Sequence, residues 1–318
     1  MALDASTAAF LQEMAESGAK PIHESTPEEV RALGTGLSDV YGAGPDMAEV
    51  QQQHVVTADG GFDVRVLKPH DPQGIFVYYH GGGWVIGALD EFDTLGRRLA
   101  ANTNCTVVLV DYRLAPEHRY PVAADDAYAA LEWVAANRAS LASEQAPIVI
   151  GGDSAGGNLA AVVALRARER HGVDIALQVL VYPVTDANFE RPSYVAEDNQ
   201  LFLSRDGMLW FWDHYLPEMS RRSEPDASPL QADSLEGLPP ALVILAEHDV
   251  LYDEGKAYAE RLREAGVAVE LHEHAGQMHG FFTLLMLAGS QAAHTQVYDT
   301  VRRYVDQGAV EQLPIHTQ

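Results

Sequence analysis

Ser154 sits at the centre of Gly152-Asp153-Ser154-Ala155-Gly156, a G-x-S-x-G string of the kind that holds a nucleophilic serine on a sharp strand-to-helix turn. The apolar run Ile148 to Gly152 before it reads as a strand, and Ala155 to Arg170 after it reads as a helix. Glycines on both sides let backbone pass close to backbone while the hydroxyl stays exposed. The pentapeptide alone is a weak signal in a chain with 26 glycines. A rival reading makes Gly151 to Gly157 a phosphate-binding loop at a helix N-terminus, but both the Gly-Lys-Ser/Thr ending and the G-x-G-x-x-G spacing are missing.

A second string, His80-Gly81-Gly82-Gly83-Trp84, is rarer by composition and follows the apolar run Ile75 to Tyr79. Bare backbone N–H groups at consecutive glycines can approach a developing oxyanion with no Cβ in the way. Gly82 and Gly83, with Ala155 just after the serine, are the expected donors.

A serine hydroxyl is a poor nucleophile near neutral pH and needs a histidine to take its proton and a carboxylate to hold that histidine. In a sheet of this kind the acid follows one late strand and the histidine the next, in the chain order Ser, Asp, His. Asp249 comes three residues after the expected strand Ala241 to Ala246, and His279 comes after the expected strand Val267 to His272. Glu247 and Asp253 compete for the acid role less well, since Asp253 would already lie in a helix. His272 and His274 share a strand face and could join His279 at a metal; that reading would leave Ser154 and the glycine string idle, so no metal is expected.

These residues need a scaffold. Ile75 to Tyr79, Thr106 to Asp111, Ile148 to Gly152, Leu177 to Tyr182, Ala241 to Ala246 and Val267 to His272 are short Val-, Ile- and Leu-rich runs. Helical stretches such as Ala123 to Asn137, Ala155 to Arg170 and Glu254 to Ala265 separate them, which predicts an α/β architecture, a mostly parallel sheet with helices on both faces. Upstream, Thr7 to Ser17 and a segment starting at Thr26-Pro27-Glu28-Glu29 read as amphipathic helices, the second with a capping box. His54 to Ala58 and Phe62 to Lys68 read as a hairpin around Asp59-Gly60-Gly61.

The stretch from Pro183 to Ala241 is longer than a connection needs and carries Phe189, Tyr194, Phe202, Trp210, Phe211, Trp212 and Tyr215. It is expected to form a lid. Trp84, Phe189, Phe202, Trp210 and Phe281 are the candidates for lining a substrate site beneath it.

Lys plus Arg number 21 against 46 acidic residues, a formal net charge of −25, which repels nucleic acid and anionic membranes. Cys105 is the only cysteine, so no intrachain disulfide forms and an oxidising compartment is not implied. Asp4 and Glu13 lie where an export signal would need a positive start and an apolar stretch, and the best apolar segment, Phe281 to Ala288, is far short of the roughly 20 residues that span a bilayer. A cytoplasmic protein with a small-molecule substrate is expected.

Together His80-Gly81-Gly82-Gly83-Trp84, Tyr112-Arg113-Leu114-Ala115-Pro116-Glu117, Gly152-Asp153-Ser154-Ala155-Gly156-Gly157, Asp249-Val250-Leu251-Tyr252-Asp253-Glu254 and His279-Gly280-Phe281 resemble the bacterial hormone-sensitive-lipase family of esterases. The resemblance implies an α/β-hydrolase fold, with an eight-stranded sheet and one catalytic domain over 1–318 capped by about 1–45 and about 186–225. It further implies cofactor-independent hydrolysis of short- to medium-chain acyl esters by Ser154, His279 and Asp249, and homodimers paired through an edge strand. Plant gibberellin receptors resemble the same family but lack the catalytic histidine, whereas His279 is present here. Amide, lactone or carbamate hydrolysis would use the same triad and differ only in the pocket.

Overall fold

Every second side chain of the central strands points to the same face of the sheet, and here both faces are apolar. Ile75, Val77 and Tyr79 pack into one buried cluster with Val108 and Val110, while Phe76 and Tyr78 pack into another with Val107 and Leu109. A strand apolar on both sides must be covered on both sides. The computed structural model describes residues 2–18, 20–34 and 36–311; positions 1, 19, 35 and 312–318 of the expected domain and cap lie outside the described residues.

Three N-terminal helices, α1 (Ala5–Glu16), α2 (Pro27–Gly34) and α3 (Leu37–Tyr41), precede the hairpin β1 (Glu49–Thr57) and β2 (Gly60–Lys68). The chain continues through β3 (Gly74–Tyr79), α4 (Leu89–Thr103), β4 (Cys105–Asp111), α5 (Val122–Ala136), α6 (Arg138–Leu141), β5 (Ile148–Asp153) and α7 (Ala155–Glu169). It ends with β6 (Leu177–Val181), α8 (Pro192–Val195), α9 (Arg205–Tyr215), β7 (Ala241–His248), α10 (Tyr252–Glu264), β8 (Val269–Met278) and α11 (Ala288–Glu311). The sheet has eight strands in the order β1-β2-β4-β3-β5-β6-β7-β8. It is mixed: β2 runs antiparallel to β1 and β4, and the remaining neighbours are parallel.

Residues of α5, α7 and α10 fill the core on one face, and residues of α4 and α11 fill it on the other. The sequence reading left α4 and α11 unassigned. The capping box at Thr26 is formed, with the Glu29 N–H donating to Thr26 Oγ1 at 3.2 Å and the Thr26 N–H to Glu29 Oε2 at 2.9 Å.

The hairpin departs from expectation by a shift of the turn. Thr57 pairs with Gly60, so the loop is Ala58-Asp59, and Gly60 and Gly61 belong to β2 with φ of 132° and 139°. A Cβ on Gly61 would come within 2.3 Å of the Val55 carbonyl oxygen. Likewise β8 runs to Met278, past the expected end at His272, and a register irregularity opposite Ala246 and His248 lets it continue. Among the described residues no helix is long and apolar enough to cross a membrane.

Candidate active site

The carboxyl ends of β3, β5, β7 and β8 deliver the four expected motifs to one place. At the end of β5, Ser154 has φ 55° and ψ −118°, a conformation that costs energy for a residue with a Cβ. Its N–H donates to the Val181 carbonyl at 2.9 Å and its own carbonyl accepts from Asn158 N at 3.0 Å, which fixes the turn. The flanking glycines are required by close approach: a Cβ on Gly152 would lie 2.2 Å from the Tyr79 carbonyl oxygen and one on Gly156 only 1.9 Å from it. Strand β3 and the elbow therefore touch backbone to backbone.

Asp249 follows β7 directly, one position after the strand ends rather than three. Its Oδ1 accepts the Leu251 N–H at 2.9 Å, and its Oδ2 lies 2.7 Å from His279 Nδ1. On the other side of the imidazole, Nε2 lies 3.0 Å from Ser154 Oγ. Ser154, His279 and Asp249 are 6%, 7% and 1% exposed, so the relay works in a medium where charge interactions are little screened. The Tyr182 ring, 4.6 Å from the imidazole, packs beside it. The competing acids point elsewhere: Glu247 accepts the Gly276 N–H at 2.8 Å and Asp253 accepts the Ser193 N–H at 2.8 Å. His272 and His274 are held by Glu270 and Gln296.

The glycine string after β3 curls back on itself. Gly82 and Gly83 have φ of 115° and 57°, and the N–H groups of Val85 and Ile86 both donate to the Gly82 carbonyl at 3.0 Å. The N–H groups of Gly82 and Gly83 have no acceptor among the described residues, as oxyanion donors require. Ala155, the first residue of α7, presents its N–H at a helix N-terminus, where the macrodipole also favours negative charge. His80 is held away from the Ser154–His279 pair by its own contacts. Its ring stacks between Phe92 and Tyr112, its Nδ1 donates to the Gly81 carbonyl at 2.7 Å, and burial pulls its pKa down to about 4.

Two residues that the sequence reading left without a role brace this arrangement. Asp153 Oδ1 accepts the Gly81 N–H at 2.9 Å and the Tyr78 hydroxyl at 2.8 Å. Burial pushes the Asp153 carboxyl up to about 6 even though both hydrogen bonds pull it down. Arg31 of α2 donates to the Val85 and Ala115 carbonyls and to both oxygens of Glu117, each at 2.8 Å. Neither contact leaves a local pattern in the sequence, because the partners lie 72 and 54 to 86 positions apart.

The expected substrate-lining aromatics separate into two groups. Trp84 and Phe281 are fully buried. Trp84 stacks on Tyr215 at 4.2 Å and meets Trp212 edge-on, and Phe281 packs between Tyr182 and His274. Both rings are engaged in packing contacts with neighbouring aromatic side chains. Phe189 packs edge-on against Tyr194, and Trp210 against Phe211 and His214. Phe202 meets Phe10 edge-on and lies near Gly280, next to His279, where a Cβ would come 3.1 Å from its ring. Phe211, not singled out as a lining residue, is closer still: a Cβ on Gly83 would lie 2.1 Å from its Cδ1.

Known proteins resemble this chain in sequence and fold. The α/β-hydrolase-fold family matches residues 76–283. Carboxylesterase NlhH of Mycobacterium tuberculosis is 42% identical over 252 residues, 76% of this chain and 79% of its own length. Ethyl acetate hydrolase of Pseudomonas putida is 36% identical over 296 residues, 89% and 93% of the two chains. Among solved structures, a thermostable esterase from Pseudomonas putida superposes with a TM-score of 0.88 at 35% identity, over 96% of this chain and 98% of that one. A hyperthermophilic esterase from Pyrobaculum calidifontis does so with a TM-score of 0.88 at 36% identity, over 95% and 99%. The chain belongs to the hormone-sensitive-lipase family of the α/β hydrolases.

Proposed function

We propose that this protein is a serine carboxylesterase that hydrolyses short- to medium-chain acyl esters through an acyl-enzyme. The observation that carries the reading is the relay in which one imidazole reaches Ser154 Oγ at 3.0 Å and Asp249 Oδ2 at 2.7 Å. Ser154 Oγ attacks the ester carbonyl carbon while its proton passes to His279 Nε2. The carbonyl oxygen becomes an oxyanion facing the N–H groups of Gly82, Gly83 and Ala155, each such donor being worth about 3 to 4 kcal/mol to the transition state. Asp249 stabilises the imidazolium without taking its proton. Collapse breaks the bond to the alcohol oxygen, which leaves with the proton from His279. Water then attacks the acyl carbon, gives its proton to His279, and the carboxylic acid departs as Ser154 regains its hydrogen.

The short reach in acyl length is supported by Phe211 packed on Gly83 and Phe202 packed near Gly280, which set aromatic rings against the glycine loop and against the residue after His279. In this reading one catalytic domain is covered by a cap from about 1–45 and about 186–225, acts in the cytoplasm and needs no cofactor. Two copies would pair through a sheet edge, at β1 or β8. The test is hydrolysis of p-nitrophenyl esters from acetate to palmitate by the protein and by Ser154→Ala. Turnover that peaks at short or medium chains and vanishes in the variant is expected; a folded protein inert on every ester would overturn the reading in favour of an amidase or a receptor.

A further inference from the structure

The segment that leads into the cap is bonded to the backbone of the acid loop rather than resting on it. Ser193 and Asn199 are 6% and 8% exposed. Asn199 Nδ2 donates to the Asp249 carbonyl at 3.2 Å and to the Ser193 carbonyl at 3.0 Å. Ser193 Oγ donates to the Val250 carbonyl at 2.7 Å and accepts the Asp253 N–H at 3.3 Å, while the Ser193 N–H donates to Asp253 Oδ2 at 2.8 Å. The Asp253 N–H belongs to the first turn of α10, which has no intrahelical acceptor for it. Ser193 thus caps α10 from another part of the chain. At the next residue, Glu254 Oε1 accepts the Thr185 N–H at 2.8 Å and the Asp186 N–H at 3.3 Å, and the Thr185 hydroxyl donates to the Glu254 carbonyl at 2.8 Å.

These bonds bear on the triad because of how Asp249 is held. Its carboxylate has two partners, the Leu251 N–H and His279 Nδ1. Its direction is therefore set by the backbone of 249–251, whose carbonyls at Asp249 and Val250 are the ones the cap segment grips. The Asp249 carbonyl has one partner within its own loop, the Tyr252 N–H at 3.1 Å, and that bond alone does not fix the peptide against rotation.

We infer that Ser193 and Asn199 are positioning residues for Asp249, so that the entry of the cap is part of the support of the catalytic triad and the acid is aligned only while this segment is docked. The inference rests on the proposed role of Asp249. Its test is read partly in the resting protein, so that a failure of the ester chemistry and a failure of the positioning are told apart.

The variants are Asn199→Ala, Asn199→Asp, Ser193→Ala and Ser193→Thr in the full chain. The first readout, without substrate, is the downfield proton NMR signal of the His279 to Asp249 hydrogen bond. The second is kcat and KM on p-nitrophenyl butyrate. Asn199→Ala and Ser193→Ala are expected to shift or broaden the signal and to lower kcat by roughly ten- to hundred-fold, the scale of a small misplacement of a catalytic group, with KM within about twofold. Ser193→Thr, which keeps the hydroxyl, should restore both. Asn199→Asp keeps the shape but offers its carbonyl partners no donor at neutral pH, and should behave as Asn199→Ala; it and Ser193→Ala keep the test alive if Asn199→Ala does not fold. An unmoved signal with unchanged kcat in the folded variants, or a raised KM alone, would overturn the positioning role. An inert parent protein that still shows the signal, displaced in the variants, would uphold it and sink the esterase reading.

Discussion

Asp153 Oδ1 and the Gly81 amide nitrogen are 2.9 Å apart, which ties the residue before the proposed nucleophile to the residue before the two glycines proposed as oxyanion donors. The proposed nucleophile follows β5 and the two glycines proposed as donors follow β3, and they must keep a fixed separation for an oxyanion to form between them. Backbone contact between Gly156 and Tyr79 sets how near the two can come. The carboxylate sets their relative rotation. The Tyr78 hydroxyl, 2.8 Å from the same oxygen, supplies a second partner that a buried carboxylate needs.

Folding changes the proton affinity of that carboxylate. Burial raises the Asp153 pKa from 3.8 to about 6, so between about pH 4 and 6 the unfolded chain loses a proton that the native state keeps. Stability contributed by this group is then greatest below about pH 4 and falls as pH rises to about 6, by about 3 kcal/mol in all at about 1.4 kcal/mol per pKa unit. Above about 6 it is flat. Urea unfolding of the protein and of Asp153→Asn at pH 4 and pH 7 isolates the effect, because other buried acids cancel in the difference. The stability of the parent relative to the variant should fall between the two pH values; equal differences at both would show that Asp153 does not carry the titration.

Asp249→Asn keeps the shape of the acid while letting the side chain donate to His279 Nδ1, which presents the wrong tautomer to Ser154. With the relay at 2.7 Å and 3.0 Å, kcat should fall on the order of ten-thousand-fold, as in the chymotrypsin-type triad. KM should change little, since no contact to substrate is removed. A loss smaller than tenfold would take the acid role from Asp249.

The triad was legible because each member lies in a short string whose place after a strand can be read from hydrophobic pattern, and because chain order separates Asp249 from Glu247 and Asp253. Their geometry agrees, with Glu247 and Asp253 turned to the Gly276 and Ser193 N–H groups. What the sequence concealed are contacts between distant segments. Asp153 occupies a variable place in its string and finds Gly81 only through the β3 and β5 pairing. Trp84 and Phe281 stand beside catalytic strings, yet their rings turn into the core, because adjacency along the chain says nothing of which side a loop presents. The longer β8 escaped notice for another reason: past His272 the run Glu273-His274-Ala275-Gly276 is polar and contains a glycine, and its pairing depends on β7 alone.

Arg31 links helix α2 to the glycine loop after β3 through the Val85 carbonyl and, by way of Ala115 and Glu117, to the segment behind it. Its hydrogen bond holds the Glu117 carboxyl down at about 2. Glu117 is half exposed, so solvent screens the ion pair and most of the cost of its loss lies in the two backbone carbonyls. Arg31→Ala should lower stability by about 1 to 3 kcal/mol in urea unfolding. Arg31→Lys should recover little of it, because an ammonium cannot match a planar fork spread over three partners. Full recovery with lysine would mean that charge, not geometry, makes the link.

Phe211 covers Gly83 so closely that a Cβ there would meet its ring at 2.1 Å, and the ring is 4% exposed. It therefore packs directly on the glycine loop after β3 as well as into the core. Phe211→Ala should cost about 3 to 5 kcal/mol of stability through the cavity it leaves, so the comparison belongs at a temperature where both proteins are folded. In the same variant the ratio of kcat/KM for p-nitrophenyl decanoate to that for the acetate should rise, since a longer acyl chain can fill the vacated volume and an acetyl group gains nothing from it. The shift has a natural ceiling of about 1 to 3 kcal/mol for each methylene newly accommodated. If the ratio stays where it was while stability falls as expected, Phe211 is core alone and chain length is set elsewhere, with Phe202 beside Gly280 the next ring to remove.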